Sequence, residues 1–243
     1  MRLLKITIGL ILLSTLTLNT PAQSVFYAAS KSGLNLREQP NAGATVLTKI
    51  PYGAKVTKAT QGNDGQIETE GMNAGWQRIL YEGRPGYVAD VYLLPFPPPQ
   101  GTSDDLDGYL NSISKSVGTA KKSITYSTEE TLSTTRTLYE NGMAIRHFSG
   151  YEYSSETLWV PGINMHQGFV LARLLSSFKA LLSTADAFPS KSVDGGDNGR
   201  SILVQYTSHW LSAIRYEWCE GACYTIELRD EEGEISITFS GGV

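Results

Sequence analysis

Four prolines fall within five positions, Pro95, Pro97, Pro98 and Pro99, with Phe96 between the first two. Each fixes φ near −65° and removes an amide donor, so neither a helix nor a central strand can run through this point. Such a segment favours extended polyproline II and is expected to act as a semi-rigid spacer over residues 95–102. A ligand for an aromatic-lined groove is the alternative use of the same conformation. The chain therefore divides into residues 25–94 and residues 103–243. With 41% hydrophobic and 18% charged residues among 243, both parts can bury a core.

The N-terminus carries Arg2 and Lys5, an apolar run from Ile6 to Leu18, and a small-residue exit at Thr20-Pro21-Ala22. That order is expected of a secretory signal peptide over residues 1–22, cleaved after Ala22 or after Ser24. The apolar run is too short for a stable membrane span, and no later stretch is long or apolar enough to cross one. A periplasmic or extracellular location follows as an expectation. The formal charge of −4 includes no basic block, which argues against nucleic acid as a partner. Acid concentrates in the second part: residues 25–95 hold seven Lys and Arg against six Asp and Glu, residues 101–243 eleven against eighteen.

From Val25 to Leu94, short apolar and β-branched runs alternate with Gly, Pro and Asn every 8–12 positions, the pattern of a small β-barrel. The expected strands are Phe26–Ala28, Leu34–Arg37, Val46–Ile50, Ala54–Thr57, Trp76–Tyr81 and Gly86–Val88, with a tight loop at Glu82–Gly86. Leu34 and Leu36 share one face of their strand and Asn35 and Arg37 the other.

The runs Gly33-Leu34-Asn35-Leu36-Arg37-Glu38-Gln39-Pro40-Asn41, Ile50-Pro51-Tyr52-Gly53-Ala54-Lys55-Val56, Gly75-Trp76 and Gly83-Arg84-Pro85-Gly86-Tyr87-Val88 occur in this order, followed by Tyr92-Leu93. Together they resemble the bacterial SH3 (SH3b) domain family over about 70 residues. The resemblance implies a barrel that binds, with cell-wall peptide or an envelope protein as partner. It places Trp76 and Tyr87 at positions the family fills with barrel core. The segment Thr57–Ala74 is longer than the family's usual connection and contains Asn63-Asp64-Gly65, a hairpin signal, so it reads as an extended hairpin or loop. Candidate ligand contacts are Asn35, Arg37, Tyr52, Trp76, Tyr81 and Tyr87, because flat amphipathic rings and a guanidinium suit a peptide carboxylate or carbonyl.

After the prolines, Ser103-Asp104-Asp105 caps an amphipathic helix through Leu106, Tyr109, Leu110, Ile113 and Val117. Strands are expected at Ser123–Tyr126, Thr131–Tyr139, Met143–Phe148 and Tyr151–Val160, with Asn141-Gly142 as a hairpin turn and Pro161-Gly162 closing the set. A main helix is expected over His166–Ser183. Four further strands follow at Ser201–Thr207, Trp210–Trp218, Tyr224–Leu228 and Glu234–Phe239, each apolar on one side. Mainly β overall, the chain reads as an SH3-like small β-barrel, a Pro-rich linker and an α+β domain whose antiparallel sheet packs with one main helix. Cys219 and Cys223 flank a three-residue loop and are expected to form a disulfide after export.

Catalytic and metal-binding constellations are not evident. His147, His166 and His209 lie in different expected elements, with no His-Glu-x-x-His. Ser112-x-x-Lys115 and Ser176-x-x-Lys179 lack a partner Lys-Thr-Gly. In Asp194-Gly195-Gly196-Asp197-Asn198-Gly199, the position for a bidentate Glu holds Gln205. No cofactor is implied. The expected protein is a secreted, non-enzymatic envelope protein with a binding barrel and a C-terminal interaction domain. An envelope hydrolase with an unrecognised C-terminal site, or an inhibitor or immunity-type protein, are the alternatives. A hydrolase requires the histidines to meet a carboxylate in a pocket, and an inhibitor requires an apolar patch on the C-terminal sheet.

Overall fold

The computed structural model describes residues 24–101, 105–126, 131–179, 181–196 and 199–242, without the side chains of residues 60–64. The expected leader, Ser103 and Asp104 of the helix cap, and Asp197 and Asn198 lie outside these. The described residues form two antiparallel sheets and two α-helices.

The first sheet holds β1 (Val25–Ala28), β2 (Leu34–Arg37), β3 (Val46–Ile50), β4 (Lys55–Thr69), β5 (Met72–Tyr81), β6 (Arg84–Ala89) and β7 (Leu93–Leu94) in the order β3-β2-β6-β5-β4-β1-β7. Period-2 alternation turns Leu34, Leu36, Ile50, Val56, Ile79 and Val88 inward, and all six are buried. The long segment Thr57–Ala74 is an extended hairpin, one of its two expected forms, but its turn does not fall at Asn63-Asp64-Gly65, which is a register-shifted stretch inside β4. The chain reverses at Glu70-Gly71, both with positive φ (50° and 77°), the conformation a two-residue hairpin turn requires. Pairing of Ile67 to Ala74 and Thr69 to Met72 sets that register. An Asn-Gly or Asp-Gly signal is local, and the ladder around Met72 and Ala74 overrides it.

The second sheet holds β8 (Lys121–Tyr126), β9 (Thr131–Leu138), β10 (Ala144–Ser149), β11 (Tyr153–Pro161), β12 (Ser201–Thr207), β13 (Trp210–Glu220), β14 (Ala222–Glu231) and β15 (Glu234–Gly242), ordered β12-β13-β14-β15-β11-β10-β9-β8. Ile214, Tyr216, Ile226, Leu228, Ile237 and Leu158 meet on one face and are fully buried. Helix α1 (Leu106–Ile113) is capped by Asp105, whose side chain accepts from the Gly108 amide. Helix α2 (Met165–Leu174) begins with a capping box formed by Asn164 and Gln167.

The expected long helix ends early. Leu175 is extended (φ −75°, ψ 130°), and a single 3-10 turn follows at Ser176–Phe178. Ser176 and Ser177 compete for the backbone where the helix would continue. The apolar spacing persists because Leu175, Phe178, Leu181 and Leu182 are all buried after the bend. It is a packing signal that does not need helical geometry.

Every residue of α2 from Gly168 to Leu174 is buried, Arg173 included. A helix enclosed all round needs neighbours on both sides. Here β14 and β15 cover one side and the 3-10 turn Asp90–Tyr92 of the first sheet the other. The Gln167 amide donates to the Leu93 carbonyl at 2.7 Å. Arg173 reaches Glu70 in the β4–β5 turn at 2.6 Å and also donates to the Asp186 and Thr184 carbonyls. The Phe188 amide donates to the Glu70 carbonyl at 2.8 Å. One hydrophobic cluster accordingly runs from the first sheet through α2 into the second.

The proline segment is neither helix nor strand, as its composition requires, but it is not a free spacer: Phe96, Pro98 and Pro99 are buried. The Tyr52 hydroxyl donates to the Pro99 carbonyl (2.6 Å) and the Tyr109 hydroxyl to that of Pro97 (2.9 Å). One anchor comes from each sheet's own segment of chain, which ties the prolines down on both sides.

A Cβ at Gly71 would lie 2.5 Å from the Phe188 carbonyl oxygen, at a φ that side chains rarely adopt. Gly71→Ala is expected to lower stability by about 1–3 kcal/mol in urea unfolding, whereas a change at Gly83, which turns on open surface, should cost less. His166 packs edge-on against Phe188 with ring centroids 4.6 Å apart, and burial holds its pKa below the ordinary value despite Asp90 and a backbone hydrogen bond at Asn73. A base with a depressed folded pKa binds fewer protons folded than unfolded, so its share of stability is present above the unfolded value and lost as pH falls. The unfolding midpoint should therefore drop between pH 7.5 and 5 more steeply for the parent than for His166→Gln. Equal slopes would exclude this role.

Candidate functional site

Strand alternation in the first sheet leaves an outward face on β2, β3, β5 and β6. Arg37 pairs with Tyr87, Tyr87 with Arg78, and Asn35 with Lys49. Directly paired residues share a face, so one ring and one amide lie among three cations, Arg37, Lys49 and Arg78. Asn35, Lys49 and Arg78 are exposed, while Arg37 and Tyr87 are half-buried. Arg37 donates to the Ala44 carbonyl at 2.8 Å, which fixes its direction without neutralising it. Among the described residues none of the three cations forms an ion pair. This is a basic surface on an acidic chain, suited to a carboxylate-bearing ligand.

The other three candidate residues stand elsewhere. Trp76 is 4% exposed and closed off from solvent. Tyr52 packs on the core, its hydroxyl held by Pro99, its ring under the Lys31 ammonium at 4.2 Å, and its pKa pushed well up by burial. Tyr81 packs against the core beside the Glu82-Gly83 turn, its pKa also raised. Asn35, Arg37 and Tyr87 are thus brought together, and Lys49 and Arg78 join them. Sequence reading missed the last two. Their alternation with Ile50 and Ile79 was visible, but which cations would gather around Tyr87 depends on the β2–β6 and β5–β6 registers.

The second sheet offers a different surface. Its apolar face continues past the covering segment into Trp218, Tyr224 and Phe239, with ring centroids 6.1 Å and 6.4 Å apart and nearly parallel planes. Gly241 makes room: a Cβ there would stand 2.8 Å from the Tyr224 ring. With Leu181 and Arg200 these rings line a cleft of about 500 Å³. The Arg200 guanidinium is held at its rim by Asp186 (2.6 Å) and the Leu181 carbonyl. The hydrogen bonds that Asp186 accepts from Arg200 and from the Ser183 amide and hydroxyl keep its carboxyl below the ordinary pKa despite burial. The adjacent turn is closed by the Cys219–Cys223 disulfide, across directly paired positions as expected. Glu217 lies beside it, but oxidised sulfur offers no thiolate to a metal.

The histidines do not meet. His147 bridges Asp107 of α1 (2.9 Å) and Glu156 of β11 (3.3 Å), fastening the helix to the sheet. His166 sits at Phe188, and His209 is exposed in the β12–β13 turn. Ser112 donates back to the Tyr109 carbonyl of its own helix at 2.6 Å. Asp194 accepts from the Gly196 amide, an ordinary turn contact.

No curated protein and no solved structure matches the chain. Residues 32–93, which hold β2 to β6, match the family model described as a bacterial SH3 domain, and this segment is a bacterial SH3 domain.

Proposed function

We propose that this is an exported cell-envelope protein, periplasmic or extracellular, whose SH3 domain holds a wall peptide or an envelope protein across the Asn35–Arg37–Tyr87 face. A bacterial SH3 domain points to a cell-wall or protein binding module. The observation that carries the finer reading is the set of three unpaired cations around one tyrosine, on a face turned away from α2. Arg37 supplies a fork for a carboxylate, Tyr87 a flat ring for the adjoining chain, and Asn35 a donor and acceptor for a peptide group. The disulfide and the leader-like N-terminus support export. Among the described residues, no helix is long and apolar enough to cross a membrane. The C-terminal sheet is the second interaction surface. Its aromatic cleft gives the inhibitor reading a specific observation, since an apolar group of a partner would fit there.

Retention of the full chain on purified peptidoglycan, and separately on envelope protein extract, tests this. Arg37→Ala combined with Tyr87→Ala is expected to weaken retention on one of the two by about tenfold or more, and Tyr52→Phe to leave it unchanged. If the parent is retained on neither, or the double variant is retained as well as the parent, the proposal fails.

A further inference from the structure

No Lys, Arg, Asp or Glu occurs between Arg200 and Arg215. That stretch is β12 and the first half of β13, with the exposed His209 at the turn between them, in a half of the chain that is otherwise rich in acid. At its tip Trp210 is 81% exposed, Tyr206 58% and, further down, Leu203 45%. The tip pairs Thr207 with Trp210 and Tyr206 with Leu211. Successive cross-strand pairs point to opposite faces, so Trp210 stands on one side of the ribbon and Tyr206 with Leu211 on the other. Leu203 falls on the side of Trp210. Ser208 between them has φ 60°, which closes the turn tightly.

We infer that this hairpin is a wedge that inserts into the interfacial layer of a lipid bilayer. A flat protein partner covers one face of a ribbon. A bilayer takes up both, and each carries an exposed ring here, Trp210 on one and Tyr206 on the other. Tyr and Trp are the side chains that favour the boundary between hydrocarbon and headgroup, having an apolar body and one polar tip. The ribbon from Tyr206 to Leu211 is three residues deep on each strand, about 10 Å at a strand's rise, which matches the roughly 5–10 Å that interfacial elements penetrate. The missing charges fit the same account, since a charged side chain there would have to be desolvated. The acid excess elsewhere in this half opposes an anionic surface, so the ligand is a bilayer of low net charge.

Flotation of the chain from Gln23 onward, the form expected after export, with phosphatidylcholine vesicles, some carrying brominated acyl chains, tests the inference. Without the apolar run Ile6–Leu18, partitioning reports on the hairpin. Tryptophan emission of the parent should shift to the blue and be quenched by bromine. Trp210→Phe should still float but lose that quenching, and Tyr206→Ser with Trp210→Ser should reduce partitioning by about tenfold or more. Adding anionic lipid should weaken binding. The inference is overturned if the parent does not float, if the double serine variant floats equally well, or if Trp210 is not quenched. A parent that is dimeric by light scattering, with a monomeric serine variant and no vesicle effect, would assign the tip to a second copy of the chain instead.

Discussion

Arg173 is a guanidinium 6% exposed, reaching from the end of α2 to Glu70 in a turn of the other sheet. A buried cation is costly unless its donors are answered, and here Glu70, Asp186 and Thr184 answer its two terminal nitrogens, while Nε is buried without a hydrogen-bond partner. Its Cζ also lies 4.7 Å from the Phe169 ring centre, so the charge rests on an aromatic face within the same helix. Placing Arg173 this way obliges the chain after α2 to double back to residues 184–188 and obliges Glu70-Gly71 to turn where it does. The early end of the helix, the close approach of Phe188 to Gly71, and the contact of the 3-10 turn with α2 are then parts of one arrangement.

That arrangement decides which side of the SH3 domain is free. The β4–β5 turn, the Asp90–Tyr92 turn, β7 and Tyr52 are occupied by the rest of the chain, through α2, Phe188 and the prolines. The outward side of β2, β3 and β6 is turned elsewhere and carries the unpaired cations. Charge follows the same division: the basic surface belongs to the barrel, the acid to the larger sheet. A carboxylate-bearing ligand of the kind proposed would be drawn to one end of the molecule.

Much of this was legible in the residues. Leu34–Arg37, Val46–Ile50 and Ser201–Thr207 are strands at the positions their alternation predicts, and Asn141-Gly142 and the Cys219–Cys223 pair close the hairpins they mark. These signals are local and carry their geometry with them. What failed was decided at long range. Asn63-Asp64-Gly65 yields to a ladder set elsewhere, and the apolar spacing through Leu181 and Leu182 reports burial rather than helix. The proline segment has the backbone its composition requires, but nothing in that composition says Tyr52 and Tyr109 would hold its carbonyls. In the candidate site, Arg37 and Asn35 stand out from alternation alone, whereas Lys49 and Arg78 enter only through strand register. The aromatic cleft needs Trp218, Tyr224 and Phe239 from three strands, together with a glycine on one of them.

Helix α2 joins barrel and sheet into one cooperative body, which fixes the Arg37–Tyr87 face relative to the second surface. Differential scanning calorimetry of the full chain tests it most directly. One transition, with calorimetric and van't Hoff enthalpies equal, is the expected result. Two separable transitions in the parent protein, with the barrel melting independently, would contradict it.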